Sequence, residues 1–278
     1  MMAALLRLCR PYYAVPMALT YALTLYYALG GRMEGQWMGA AVTTAAVALV
    51  VAAAYVLNDV CDLAVDRLNA PHRPIAAGRV SRRAAAVWGV GLMAAGLAAA
   101  AAARPIFFLV LAAVAATLVL YDLVSKRLDV GKPLLVAVLM TSLYPLAYAQ
   151  AGGAEGPRAA ALPVFAAWMF LTAFGYEVLK DIRDIPGDCA AATGPMHVHR
   201  RPRLWRGLAG GVVLSAAMLL LVPAGLGCGW VYLVGAAAAI LAAAFSVFLP
   251  VRRALAAIYV ECFLVGVAAM LDPLILGF

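Results

Sequence analysis

The sequence predicts an all-α polytopic membrane protein, with about nine transmembrane helices in two four-helix halves around a central cavity. Three observations carry that expectation. Of the 278 residues, 67% are hydrophobic and only 12% are charged, and the mean hydropathy is +0.96. A water-soluble domain of this size has no interior large enough to hide so much apolar surface. The apolar residues also fall into stretches near the ~20 residues that a helix needs to cross a ~30 Å hydrocarbon core. Finally, the charged residues collect in alternate connections between those stretches.

Taken in order, the expected spans are 11–30, 37–57, 84–103, 105–121, 133–151, 159–178, 206–226, 229–249 and 253–277. The first opens at Pro11 behind Arg7 and Arg10, and it lacks a small-residue cleavage site. It reads as a retained helix and not as a signal peptide. Runs such as Ala98 to Ala103 and Ala236 to Ala239 read as close helix contacts, because small side chains let membrane helices approach. Spans two and six each end in an acidic cluster followed by a basic loop. That spacing suggests a weak internal duplication, with the two clusters at equivalent places around one cavity. Residues 1–278 therefore read as a single membrane domain.

The net charge of +8 would suit a nucleic-acid binder, but its distribution does not. Of the 21 Lys and Arg, all but Arg32, Arg104 and Arg158 lie on one side of the expected topology. This is the positive-inside bias, and it places the amino terminus and both acidic clusters on the cytoplasmic side. The five cysteines are scattered and form no C-x-x-C pair, so neither a metal-ligand set nor a catalytic thiol is expected.

The acidic clusters carry the chemistry. In the first, Asn58, Asp62 and Asp66 recur at i, i+4 and i+8, with Asp59 beside them. On a continuing helix they share one face. In the second, Glu177, Asp181, Asp184 and Asp188 form a similar stripe, which Pro186 and Gly187 should end. Carboxylates at the end of a membrane span are costly to bury unless positive charge lies between them. Hard oxygen donors of this kind suit Mg2+, which favours carboxylates together with substrate phosphates. Arg73, Lys126, Arg127, Lys180 and Arg183 stand nearby as partners for phosphate oxygens. Of the nine aspartates, only Asp272 falls on the far side.

With these residues in view, the chain resembles the UbiA-type intramembrane prenyltransferases. Asn58, Asp59, Asp62 and Asp66 fit that family's N-D-x-x-D-x-x-x-D pattern. The stretch from Arg67 through Pro71, Arg73-Pro74-Ile75 and Gly78 to Ser81 is similar to its D-R-I-N-x-P-x-R-P-I-P-S-G-x-I-S continuation. Tyr121 and Lys126 resemble its Tyr-Ser-x-x-x-Lys element, with Asp122 in place of Ser, and Arg10-Pro11 resembles the Arg-Pro that opens its first helix. Lys180 to Asp188 looks most like the branch containing geranylgeranylglyceryl phosphate geranylgeranyltransferases and chlorophyll synthase relatives. Arg183 replaces an acid there, Cys189 replaces an Arg, and Ala192-Thr193-Gly194-Pro195 departs from the usual continuation.

The resemblance implies Mg2+-dependent transfer of a prenyl group from an allylic diphosphate to a lipid-phosphate or aromatic acceptor, in a prokaryotic plasma membrane. The implied catalytic residues are Asp62, Asp66, Asp184, Asp188, Lys126 and Lys180. Asn58, Arg10, Arg73, Tyr121 and Arg127 would bind substrate. Metal would fall to Asn58, Asp59, Asp62, Asp66, Glu177, Asp181, Asp184 and Asp188. Tyr55, Tyr121, Tyr144, Tyr148, Phe174 and Tyr176 could shield a carbocation through their ring faces. A terpene cyclase on the same fold would use the same diphosphate site without an acceptor. A cation-coupled transporter would instead need acids in the middle of its spans.

Overall fold

A computed structural model describes residues 1–124, 128–190 and 196–278. The described residues form helices and no strand. In chain order the helices are α1 (Met2–Leu8), α2 (Pro11–Ala28), α3 (Trp37–Cys61), α4 (Leu63–Asn69), α5 (Arg82–Ala101), α6 (Pro105–Val124) and α7 (Gly131–Thr141). They continue with α8 (Leu143–Ala151), α9 (Leu162–Ala190), α10 (Met196–Arg200), α11 (Pro202–Met218), α12 (Trp230–Phe248) and α13 (Val251–Leu276).

Among the described residues, eight stretches are long and apolar enough to cross a bilayer, with α7 and α8 forming one of them. The first expected span is present as α2, which carries five tyrosines and two threonines and is not among those eight. Pro11 starts α2 at a position where a missing N–H costs nothing. Ser81 starts α5 by accepting a hydrogen bond from the Ala84 N–H.

Two expectations about helix ends need correction. The stripe Asn58–Asp62–Asp66 does not lie on one continuous helix. The chain breaks at Asp62, between α3 and α4, so the last part of the cluster turns away from the α3 axis. Pro186 and Gly187 do not end the sixth span, because α9 runs through both to Ala190. Proline removes one helical N–H, so only the Ile182 carbonyl loses its usual partner.

Two packed halves make the bundle. One core joins α2, α3, α5, α6 and α8 around Tyr21, Val50, Phe107 and Leu146. Others build the second half around Phe165, Trp168 and Tyr232, and around Val178, Val213 and Ile258. α2 stitches the halves together: Tyr27 Oη donates to the Ala269 carbonyl at 2.8 Å, and Tyr259 Oη donates to the Tyr12 carbonyl at 2.6 Å. Glu261 is an acid inside a span, where none was expected. It is fully buried in α13 and accepts a 2.9 Å hydrogen bond from Trp168 Nε1, which pins α13 to α9.

At the end of the bundle away from the acidic clusters, buried Arg158 meets buried Asp272 at 2.9 Å. Asp272 also accepts from the N–H groups of Gly229 and Tyr232, satisfying the start of α12. Its role is to hold helices.

The depth of α9 within the second half depends on Gly175. A Cβ there would lie 2.6 Å from Val213 Cγ2 and 3.0 Å from the Ala209 carbonyl oxygen on α11. Replacing Gly175 by Val should push α9 and α11 apart at a cost of about 1–3 kcal/mol. The expected result is a lower melting temperature of the purified protein in detergent, whereas Gly211→Ala, with open space at its Cβ position in a helix interior, should not lower it.

Candidate functional site

The site begins at the last turn of α3. Asp59 is almost wholly buried there and pairs with the Arg10 guanidinium and, at 3.2 Å, with Arg73 Nη1. Arg73 also reaches Asp66 on α4 at 2.5 Å, so one cation serves both acids. Arg10 has φ 44° and ψ 62°, the only left-handed backbone of a non-glycine residue among those described. That conformation costs about 1 kcal/mol or more. It sets the guanidinium on Asp59 and 5.0 Å above the Tyr55 ring. The turn carrying Arg73 is closed by Arg79, whose guanidinium donates to the His72 carbonyl, and by Gly78 at φ 70°. Asn58 Nδ2 donates to Asp62 Oδ2 at 3.1 Å and to Asp122 Oδ1, from α6, at 3.0 Å.

The second cluster occupies the matching end of α9. Glu177 and Asp181 are buried, and Asp188 nearly so. Lys180 Nζ donates to both Glu177 oxygens at 2.7 and 2.8 Å. Lys132, the second residue of α7, binds Asp181 and lies 3.7 Å from Glu177. The other Asp181 oxygen, Oδ2, is buried with no hydrogen-bond partner. Asp184 is more exposed and is held by both arms of its neighbour Arg183 at 2.8 Å.

The two clusters meet. Asn69 Nδ2 at the end of α4 lies 3.4 Å from Asp188 Oδ1. Tyr13, stacked on Tyr55, reaches Tyr176 on α9 with hydroxyls 3.4 Å apart. Tyr121 lies within electrostatic reach of Asp62 on one side and of Glu177, Asp181 and Lys132 on the other. Of the other expected aromatics, Tyr144 belongs to the apolar core of the second half, and Tyr148 packs at its edge. Phe174 packs against the core around Val178. Lys126, Arg127 and the stretch Ala192-Thr193-Gly194-Pro195 lie outside the described residues.

Burial raises the Asp66 carboxyl above the ordinary range despite the opposing pull of Arg73. Burial also raises Asp188, against the pull of Lys132 and with a further push from Asp184. Both acids thus carry a desolvation cost that the protein's own cations only partly offset.

Sequence reasoning missed several members of this network. Lys132 follows no motif, and its only signal was a charge placed at the start of an otherwise apolar span. Asn69 and Tyr13 gave no signal beyond being polar near a span end. A further pair outside both clusters ties down the loop before α7. Asp129 Oδ1 accepts from the His197 backbone N–H at 3.0 Å and from its ring Nδ1 at 2.6 Å. Slight burial would raise the Asp129 carboxyl, but the His197 hydrogen bonds outweigh it and hold the carboxyl below the usual range.

Fold and site together define the class: an all-helical integral membrane protein with a buried, cation-laced acidic centre at one end of its bundle. The chain belongs to the UbiA prenyltransferase family, whose model matches residues 17–267. A digeranylgeranylglyceryl phosphate synthase from Methanoculleus marisnigri is 34% identical over 248 residues, covering 88% of this chain and 86% of that protein. The synthase of the same name from Thermococcus gammatolerans is 33% identical over 231 residues, covering 82% and 80%. Among solved structures, a UbiA homologue from Archaeoglobus fulgidus bound to GPP and Mg2+ matches with a TM-score of 0.73 at 18% identity, over 97% of this chain and 99% of that one. An apo UbiA homologue from Aeropyrum pernix matches with a TM-score of 0.73 at 21% identity, over 93% and 96%.

The Asp129–His197 pair has a pH signature. A carboxyl held below its unfolded value of about 3.9 stabilises the fold above that pH and loses the effect as pH falls through its native value. Asp129→Asn should therefore melt below wild type at pH 7, and the gap should close as melts are repeated from pH 5 down to 3.

Proposed function

We propose that residues 1–278 form one prenyltransferase domain. It moves a prenyl group from an allylic isoprenoid diphosphate to a lipid-phosphate acceptor, with Mg2+ as cofactor. One observation carries this reading: two buried acidic clusters, interlaced with cations, share one end of a UbiA-family bundle. The names of the relatives support a geranylgeranyl donor and a glyceryl phosphate lipid whose free hydroxyl accepts it. The positive-inside bias supports a cytoplasmic site and amino terminus, and the organisms of the relatives support a prokaryotic plasma membrane.

The donor set fits a divalent cation. Among the described residues, eight carboxylates (Asp59, Asp62, Asp66, Asp122, Glu177, Asp181, Asp184, Asp188) face five cations (Arg10, Arg73, Lys132, Lys180, Arg183). Asp181 Oδ2 is a buried acceptor without a donor. Among the described residues, no three acidic, His or Cys side chains converge as a preformed ion cage. That matches Mg2+, which is commonly held by one or two carboxylates plus substrate phosphates.

We assign metal binding to Asn58, Asp59, Asp62 and Asp66 on one wall and to Glu177, Asp181, Asp184 and Asp188 on the other. When bound, Mg2+ neutralises negative charge on the diphosphate. Arg10, Arg73, Tyr121, Lys180, Lys126 and Arg127 take the phosphate oxygens, and Lys132 joins them. Of these, the described cations Arg10, Arg73, Lys132 and Lys180 stand at the acidic walls, where each can turn from a carboxylate to the charge that develops on the leaving group. The bond from prenyl C1 to the diphosphate oxygen breaks, the acceptor oxygen bonds to C1, and the hydroxyl proton passes to the released diphosphate. Tyr13 and Tyr55 stack beside Arg10 of the first cluster, and Tyr13 meets Tyr176 of α9; ring faces there can shield positive charge at C1.

Asp62→Ala and Asp184→Ala should each lower prenyl transfer about 100-fold or more while the protein still inserts and folds. The assay gives the purified protein geranyl, farnesyl and geranylgeranyl diphosphates with Mg2+ and a panel of acceptors, and reads products by mass spectrometry. Full turnover by either variant would remove that residue from the site. A product formed without acceptor would identify a cyclase.

A further inference from the structure

Asn58 is the one amide in the first cluster's motif, and its orientation is settled by its partners. Its Nδ2 lies 3.1 Å from Asp62 Oδ2 and 3.0 Å from Asp122 Oδ1. A carboxylate can only accept, so the end of the amide between two of them must be the nitrogen, with one hydrogen directed to each. The Asn58 oxygen is thereby turned away from both. Asp62 lies four residues along on the break between α3 and α4, whereas Asp122 arrives from a different helix, α6. Asp122 stands where the resembling Tyr-Ser-x-x-x-Lys element has Ser, and it lies within electrostatic reach of Asp62 and Asp59.

We propose that Asp122 is a positioning residue for divalent-cation binding in this chain. It holds the Asn58 amide so that its oxygen is presented as a neutral ligand, and it adds a negative charge to the wall made by Asp59 and Asp62. A serine hydroxyl at this position would supply an acceptor but no charge. This deepens the reading of Asn58 and Asp62 as metal ligands and rests on it.

The test measures metal binding directly. Full-length protein in nanodiscs is titrated with Mn2+, with free ion read by electron paramagnetic resonance, with and without inorganic pyrophosphate. Asp122→Ser should weaken Mn2+ binding about 10-fold or more, the size expected when a group that orients a metal ligand is lost. Asp122→Asn drops the charge but keeps an acceptor at the full reach of the Asp122 side chain, which the shorter Ser does not, so it should fall between Ser and wild type. Adding Asn58→Ala to Asp122→Ser should cost much less than Asn58→Ala costs alone, because the two act as a unit. Saturating Mg2+ should restore most of kcat in Asp122→Ser, a recovery that a merely structural defect would not show.

If Asp122→Ser and Asp122→Asn bind Mn2+ as wild type does while Asn58→Ala and Asp62→Ala lose it, the positioning role is wrong and the metal site stands. If none of the four changes Mn2+ binding, the metal assignment itself fails. Additive losses from Asn58→Ala and Asp122→Ser would also overturn the proposal.

Discussion

Burying carboxylates at the end of a membrane helix is the constraint on which the rest of this structure depends. Each buried charge carries an effective penalty of several kcal/mol unless it is paired and hydrogen-bonded. The protein meets this by sharing cations. Arg73 joins Asp59 to Asp66, and Lys132 joins Asp181 to the neighbourhood of Glu177. The local backbone follows from those pairings. The left-handed Arg10, the break at Asp62 and the closed turn around Arg73 each bring a charge to a partner that a regular helix would not reach.

The apolar part of the bundle keeps those charges in register. Gly175 lets α9 settle against α11 two residues before Glu177, so the second acidic wall inherits its position from a helix–helix contact. Trp168 and Glu261 lock the same helix to α13 deeper in the bundle. Arg158 and Asp272 close the far end, nineteen residues and so roughly 28 Å along the chain from Glu177 if helical throughout. A charge pair at each end and a close-packed middle leave α9 little freedom to slide.

Much of this was legible in the chain. Apolar stretches gave the spans because a bilayer demands length and hydropathy, and these are local properties. The acidic motifs were legible because their spacing is helical. What failed was non-local. Pro186 looked like a stop, yet α9 bears the loss of one hydrogen bond and continues. The expected single stripe of Asn58, Asp62 and Asp66 bends because Asp66 must meet an arginine from the loop that follows. Lys132 was passed over because its value comes from α7 facing α9 across the bundle, and Asp122 looked like a departure from a motif until Asn58 was seen beside it. Glu261 was missed because a lone acid in a span gives no sign of the Trp that receives it.

The charge balance also limits what the proposed site can admit. A bare diphosphate approaching it meets the repulsion of buried carboxylates in a low-dielectric setting, where repulsion is strong. The internal ion pairs reduce that field but also occupy the cations that would receive the phosphates. Exchange therefore has to be concerted: each Lys or Arg that turns to a phosphate oxygen leaves a carboxylate that needs another positive partner at once. A divalent cation arriving with the diphosphate satisfies both sides of that exchange, and a monovalent ion of the same size supplies half the charge. On this argument the resting salt bridges and the requirement for Mg2+ have one cause, the burial of carboxylates that each need a positive partner.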